Sequence, residues 1–456
     1  MNKMKKIIFT CLLVSYGVLN AQTSPAISSW LRNTTGITGR HYVSGNSTPI
    51  VDASLSANVQ SVKYSSNFVY VSTQGIPAYI SGPFLDGNPS QATNQNAIFK
   101  FPLSPVTNTG TPTATNGGNI GVFINGVALF DYRDGVSWKN SSSSLAGGPL
   151  GGSGDGVWNR DAIVAEKAGF DCSKGHPAMG NYHHHQNPSA FNLDLVVISN
   201  VCNLYMADGL YSIDSTQHSP LIGYAYDGFP IYGAYGYKNV NGTGGIVRMK
   251  SSWSLRNITV RNTYYTGASV SAGPNVSSTY PLGLFREDYQ YNATTTLTPE
   301  YLDEHNGRFC VTPEYPNGTY CYFATVDANW NSAYPYVVGP TFYGVKSAAK
   351  VTSITETVTT YTGSSTGISE VNKNSFNVIV YPNPASDLVA VQLNNLTTED
   401  MKVELYDMKG ALVQKTMVYQ GSTIAYFDTR TLYSGEYIIQ IYKGKEVLSK
   451  KILVEK

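Results

Sequence analysis

An Asn-Gly pair set between two apolar runs, Ile120-Gly-Val-Phe-Ile and Val127-Ala-Leu-Phe, leaves the chain little choice of local structure. A two-residue hairpin turn needs positive φ at its centre, which Asn and Gly tolerate, so Asn125-Gly126 predicts a β-hairpin. Apolar and polar residues also alternate through Val62-Lys-Tyr-Ser and Phe68-Val-Tyr-Val, and a period of two buries one face of a strand. Charged residues make up only 13% while there are 34 Tyr, a balance that suits strands with hydrogen-bonding surfaces. The expectation is a mainly β protein: a large β-rich domain with few short helices, followed by a small C-terminal β-sandwich.

Residues 1–22 carry Lys3, Lys5 and Lys6, an apolar run from Ile7 to Leu19, and Ala21, which reads as a secretory signal peptide. The run is too short to span a membrane, and no other stretch could, so no transmembrane segment is expected after signal removal. Residues 23–58 are polar and read as an irregular lead-in that packs late or not at all. The β-rich domain is placed at 59–345, with Phe191 to Leu204 and Leu221 to Tyr237 strand-rich. One helix is expected from Asp161, as N-cap, to Gly169, and another from Thr298-Pro299-Glu300. The loop Ser141 to Gly156 contains Gly151-Gly-Ser-Gly-Asp-Gly but lacks the Lys-Ser/Thr ending and the preceding strand of a phosphate cradle, so no nucleotide cofactor is expected. Residues 346–373 read as a Thr/Ser-rich linker with at most one stray strand. Residues 374–456 then alternate through about seven short strands, as a small sandwich would.

Four of the seven histidines fall in Cys172-Ser-Lys-Gly-His-Pro-Ala-Met-Gly-Asn-Tyr-His-His-His-Gln-Asn-Pro. Tyr182 to Gln186 is bounded by turn residues and reads as a strand, so His183 and His185 share one face and Tyr182 and His184 the other. His176, across the Pro177/Gly180 turn, can join the first pair. Neutral imidazole is the commonest metal ligand, and three of them suit Zn, Cu or Ni. His218 and His305 are reserve ligands, and Asp171 and Asp227 are candidate carboxylates behind the rings.

The stretch resembles the YHYH domain, a family of extracellular bacterial proteins named for a Tyr-His-Tyr-His run after a Gly-His-Pro turn. Here the run is Tyr182-His183-His184-His185, with His184 where the family has its second tyrosine. The resemblance continues through His218 to Gly233 and through Leu302 to Tyr320, and it implies a fold neighbourhood more than an activity. Tyr381-Pro-Asn-Pro-Ala-Ser, Tyr406-Asp-Met-Lys-Gly, Leu432-Tyr-Ser-Gly-Glu-Tyr and Lys450-Lys451 resemble the C-terminal sorting domain of the type IX secretion system of Bacteroidota. That resemblance implies the secretion machinery as a partner, export through the periplasm, and release or display at the outer cell surface.

Cys172, Cys202, Cys310 and Cys321 remain after signal removal, an even number in an exported chain, so disulfides are permitted. Cys310 and Cys321 flank a hairpin and are expected to pair, which leaves Cys172 with Cys202. A net charge of +1 argues against nucleic acid as a partner. No nucleophile elbow and no His-Glu-x-x-His pair is present, so nothing in the sequence supports catalysis. The leading expectation is a metal-binding module for copper or zinc. The alternative is a surface protein that binds glycans or cell partners on aromatic platforms such as Trp138, Trp158, Trp253 and Trp330. A metal-dependent hydrolase or oxidase ranks third.

Overall fold

A computed structural model of the chain describes residues 23–46, 48–84, 91–188, 210–211, 213–293, 298–363, 378–393, 397–408, 410–444 and 446–456. The expected signal peptide, the strands expected over 191–204, Cys202 and the end of the expected linker lie outside these residues. The chain divides into two compact units, Met1–Ile368 and Ser369–Lys456. The protein is mainly β, and the described residues hold two α-helices of four residues each, Pro25–Ser28 and Ala162–Ala165. No helix among them is long and apolar enough to cross a membrane.

An eight-stranded sheet organises the first unit. Its order is Gly175–Ala178, Asn181–His184, Ala128–Phe130, Asn119–Phe123, Leu221–Ala225, Pro230–Tyr232, Thr319–Phe323 and Gly307–Cys310. The Asn125-Gly126 turn joins two of these strands as expected, with Gly126 at φ 84° and Asn125 Oδ1 accepting from the Val127 amide. A five-stranded sheet follows the order Ala349–Val351, Ala97–Pro102, Phe68–Thr73, Val59–Tyr64 and Thr359–Thr360. Side chains of both sheets, among them Val71, Phe101, Val122, Tyr224 and Ile231, join one core. Each such burial contributes about 1.5–3 kcal/mol.

Several expectations need correction. The lead-in is packed: Ile27 of the one-turn helix Pro25–Ser28 and, just beyond it, Trp30 and Leu31 join the core, with the Trp30 ring tilted against Phe101 and Tyr224 at 5.6 and 5.4 Å. Polar neighbours along the segment hid these three apolar residues. The stretch read as linker supplies two strands, which pair with Ala97–Pro102 and Val59–Tyr64 and form the two edges of the five-stranded sheet. Part of the Ser/Gly loop is also a strand, Ser144–Gly147, paired with Arg133–Lys139. The helix capped by Asp161 forms, but it stops after one turn and passes into a 3-10 turn at Lys167–Gly169. Thr298-Pro299-Glu300 forms only a turn, because Tyr301 bridges to Lys250 instead of continuing a helix.

Cys310 and Cys321 are buried free thiols, so the expected hairpin disulfide is not formed. Register explains this: Cys310 faces Thr319 and Cys321 faces Arg308, which makes the cysteines diagonal neighbours. Diagonal positions stand ~7–8 Å apart, beyond the usual Cα spacing of a disulfide at ~4.4–6.8 Å. Cys172 is buried and is not among the free thiols.

In the second unit seven described strands form a three-stranded sheet and a four-stranded sheet around a shared core. Alternation is plain in Gly435–Lys443, where Tyr437, Ile439 and Ile441 point inward. Val389 and Val391 meet them from the other sheet, as a sandwich requires.

Candidate metal site

Strands Gly175–Ala178 and Asn181–His184 pair antiparallel, which sets His176 directly opposite His183 and Gly175 opposite His184. The turn between them has Met179 and Gly180 at φ 48° and 81°, and a Cβ on Gly180 would lie 2.1 Å from Thr93 Oγ1, so only glycine fits. The strand ends at His184, earlier than expected, yet its period of two carries His185 onto the face of His183. A parallel pairing of Asn181–His184 with Ala128–Phe130 adds the hairpin to one end of the eight-stranded sheet, with Gly175–Ala178 as its edge strand.

The rings of His176, His183 and His185 converge, and their ligand atoms lie within 4.8 Å of one another, the one such group among the described residues. His183 Nε2 is 3.1 Å from His185 Nε2, and His176 Nε2 is 3.4 Å from it. His183 Nδ1 donates to Asn181 O at 2.8 Å and His185 Nδ1 to Asp131 O at 2.6 Å. A carbonyl oxygen only accepts, so in both rings Nδ1 carries the hydrogen and Nε2 presents a lone pair. Two nitrogens at ~2.0–2.1 Å from one tetrahedral ion stand about 3.3 Å apart, so these spacings suit a shared cation.

A fourth donor was not anticipated. Glu166, just past the helix Ala162–Ala165, places Oε2 at 3.4 Å from His176 Nε2 and 3.5 Å from His185 Nε2, with its side chain 21% exposed. The sequence offered one hint, that this helix leads directly into the histidine stretch. Phe130 stacks on His183 at 3.8 Å and Phe170 meets His176 edge-on at 4.8 Å, so apolar walls enclose the group. Burial, then the neighbouring His185 and His176 rings, hold His183 neutral well below the usual range. Burial and His176 bring His185 down to about 3. Neutral rings are the ligating form.

His184 faces the other way, as alternation predicts. Its Nδ1 donates to Lys174 O at 3.0 Å and its Nε2 meets the Tyr79 hydroxyl at 2.6 Å, with Tyr182 and Phe123 around the ring. The carboxylates expected behind the rings do other work. Asp171 accepts from the Gly82, Ser173 and Gly175 amides and from Tyr182 Oη, bracing the hairpin without touching an imidazole. Asp227 accepts from Tyr322 Oη and the Gly344 amide. Backbone carbonyls set the tautomers instead. The two reserve histidines stay apart: His218 packs among Tyr232, Tyr237 and Phe323, and His305 binds Thr341.

The expected aromatic platforms divide. Trp138 and Trp158 are buried together, and Trp330 is half-buried with its indole N–H on Tyr235 Oη, so of the four only Trp253 adjoins an exposed aromatic ring, Tyr265.

Comparison with known proteins gives two family matches: "YHYH protein" over residues 98–335, and "Secretion system C-terminal sorting domain" over residues 379–455. The second marks the chain for export and for release from, or attachment to, the cell surface. No curated protein matches the chain. Among solved structures it is similar to dimeric latent PorU from Porphyromonas gingivalis, at 21% identity over 17% of this chain and 9% of that one, with a TM-score of 0.15. A similarity of that extent carries no argument about fold or function.

Proposed function

The chain belongs to the YHYH protein family, and from that premise we propose that it is an exported protein holding one divalent transition-metal ion, copper or zinc, on His176, His183, His185 and Glu166. The observation that carries this reading is the convergence of three Nε2 atoms, with the tautomers of His183 and His185 set by carbonyl acceptors. Three imidazoles and one carboxylate suit Zn(II), Cu(II) and Ni(II) alike, so donor chemistry alone does not separate them. When bound, the ion supplies a fixed positive charge that ties the hairpin to the Glu166 segment. Glu166 completes four donors, and a closed set favours holding over turnover, which places a metal-dependent hydrolase or oxidase behind a binding or scavenging role.

The test is titration of copper and zinc into full-length protein without an affinity tag. One equivalent is expected to bind, and His183→Ala and His185→Ala are each expected to abolish stoichiometric binding. Unchanged stoichiometry in both variants would overturn the reading.

A further inference from the structure

His185 is the hub of the donor set. Its Nε2 stands 3.1 Å from His183 Nε2, 3.4 Å from His176 Nε2 and 3.5 Å from Glu166 Oε2. Yet its own hairpin supports it less than it supports the other two rings. His176 and His183 lie opposite each other on paired strands, and His183 Nδ1 donates to Asn181 O two residues back, so that acceptor travels with the strand. His185 falls just past the strand, which ends at His184, and its Nδ1 donates to Asp131 O at 2.6 Å, 54 residues earlier in the chain. A ring placed there is only as well aimed as the carbonyl that holds it.

That carbonyl is fixed from several sides. The Asp131 amide donates to Gly118 O at 2.8 Å. The Asp131 carboxylate is fully buried and accepts three times from Arg133: Oδ1 from the amide and from Nε, both at 2.9 Å, and Oδ2 from Nη2 at 2.8 Å. The same guanidinium donates to Thr115 O, and Arg133 opens the strand Arg133–Lys139. A fork that meets a carboxylate through two parallel bonds permits one relative geometry, so the turn at Asp131 is locked to that strand. Phe130, one residue before, stacks on His183 at 3.8 Å, so this short segment touches two of the three rings. Groups that orient a metal-binding imidazole from behind typically change metal affinity by about 10–100-fold when they are removed.

We infer that Asp131 and Arg133 are positioning residues for the metal: the pair aims the Asp131 carbonyl at His185 Nδ1, keeps the hydrogen on that nitrogen, and so turns the Nε2 lone pair toward the ion. The inference rests on the metal reading for its purpose, but its geometry belongs to the metal-free protein and is tested there separately.

The experiment has two arms, both on full-length protein without an affinity tag. In the first, NMR of the ring nitrogens of metal-free protein reads the tautomers. Wild type is expected to carry the hydrogen on Nδ1 in both His183 and His185. Arg133→Gln, which loses the fork, is expected to mix the tautomers of His185 and to leave His183, anchored within its own hairpin, unchanged. In the second arm zinc is titrated, and Arg133→Gln is expected to weaken binding by about 10–100-fold. Arg133→Lys keeps the charge without the fork and is expected to fall between. A pair with a merely structural role would lower the melting temperature and move neither the His185 tautomer nor the affinity of the folded protein. Should Arg133→Gln lose its cooperative melt, the double variant Asp131→Asn with Arg133→Gln decides, because it leaves no buried charge unpaired, and the same two changes are expected of it. A hydrogen on His185 Nε2 in wild type, or full zinc affinity in a folded variant, would overturn the inference. Wild type that takes up neither zinc nor copper would overturn the metal reading alone, and the first arm then decides this inference.

Discussion

Replacing His184 by the family's tyrosine separates the two faces of the histidine strand. The ring is fully buried, donates to Lys174 O and meets Tyr79 Oη, and is packed by Tyr79, Phe123 and Tyr182 at 6.2, 5.6 and 5.4 Å. His184→Tyr takes one hydrogen bond from a buried carbonyl, at a cost of about 1–3 kcal/mol. It also adds volume to a filled space, at about 1–3 kcal/mol more. The unit ends at Ile368, and at roughly 2.1 cal/mol/K per residue its unfolding entropy is near 0.7 kcal/mol/K, so the melting temperature is expected to fall by about 3–8 °C. The metal increment is a separate quantity. With free metal at about 100 times Kd, binding stabilises by about 2.7 kcal/mol, or about 4 °C. His184→Tyr is expected to keep that increment, because the ligand nitrogens of His183 and His185 lie across the strand. His183→Ala is expected to lose it. Differential scanning calorimetry with and without copper or zinc reads both. Equal loss of the increment in the two variants would refute the alternation on which the site is built.

Three further outcomes follow from the packing. A chain ending at Lys346 lacks the strands Ala349–Val351 and Thr359–Thr360 and the Tyr70 to Glu356 contact, so it is expected to melt below one ending at Ile368; identical melting would contradict the edge role. Burial pushes Asp227 up to about 6, against the hydrogen bonds from Tyr322 and the Gly344 amide. A raised carboxyl contributes stability that is complete below about pH 4 and is lost as pH rises through about 6, so the advantage of the wild type over Asp227→Asn is expected to shrink by about 3 kcal/mol across that window. A gap that does not vary with pH would refute it. Peptide mapping without reduction is expected to join Cys172 to Cys202 and to find Cys310 and Cys321 free, whereas four free thiols would contradict the pairing.

Much of this was legible because strand periodicity is local. The inward set Tyr437, Ile439 and Ile441, the Asn125-Gly126 turn, and the division of His183 and His185 from His184 all follow from a period of two read over a few residues. What was missed depends on contacts between distant segments. Glu166 reaches the histidines only because a one-turn helix ends beside the hairpin. Asp171 and Asp227 looked like partners for imidazoles, yet each is consumed by backbone amides and a tyrosine, which spacing along the chain does not reveal. The lead-in and the linker were misjudged for a related reason. Polar composition describes a segment's own surface, whereas Trp30 and the strands at Ala349–Val351 and Thr359–Thr360 are ordered by what they cover.

X-ray absorption at the metal edge of full-length protein, loaded with one equivalent of copper or zinc and free of any affinity tag, tests the central claim most directly. Three imidazole nitrogens, recognised by their outer-ring scattering, and one oxygen at ~2.0–2.2 Å are expected, with one imidazole fewer in His176→Ala. Sulfur in the inner shell, or a spectrum that His176→Ala and His183→Ala leave unchanged, would contradict it.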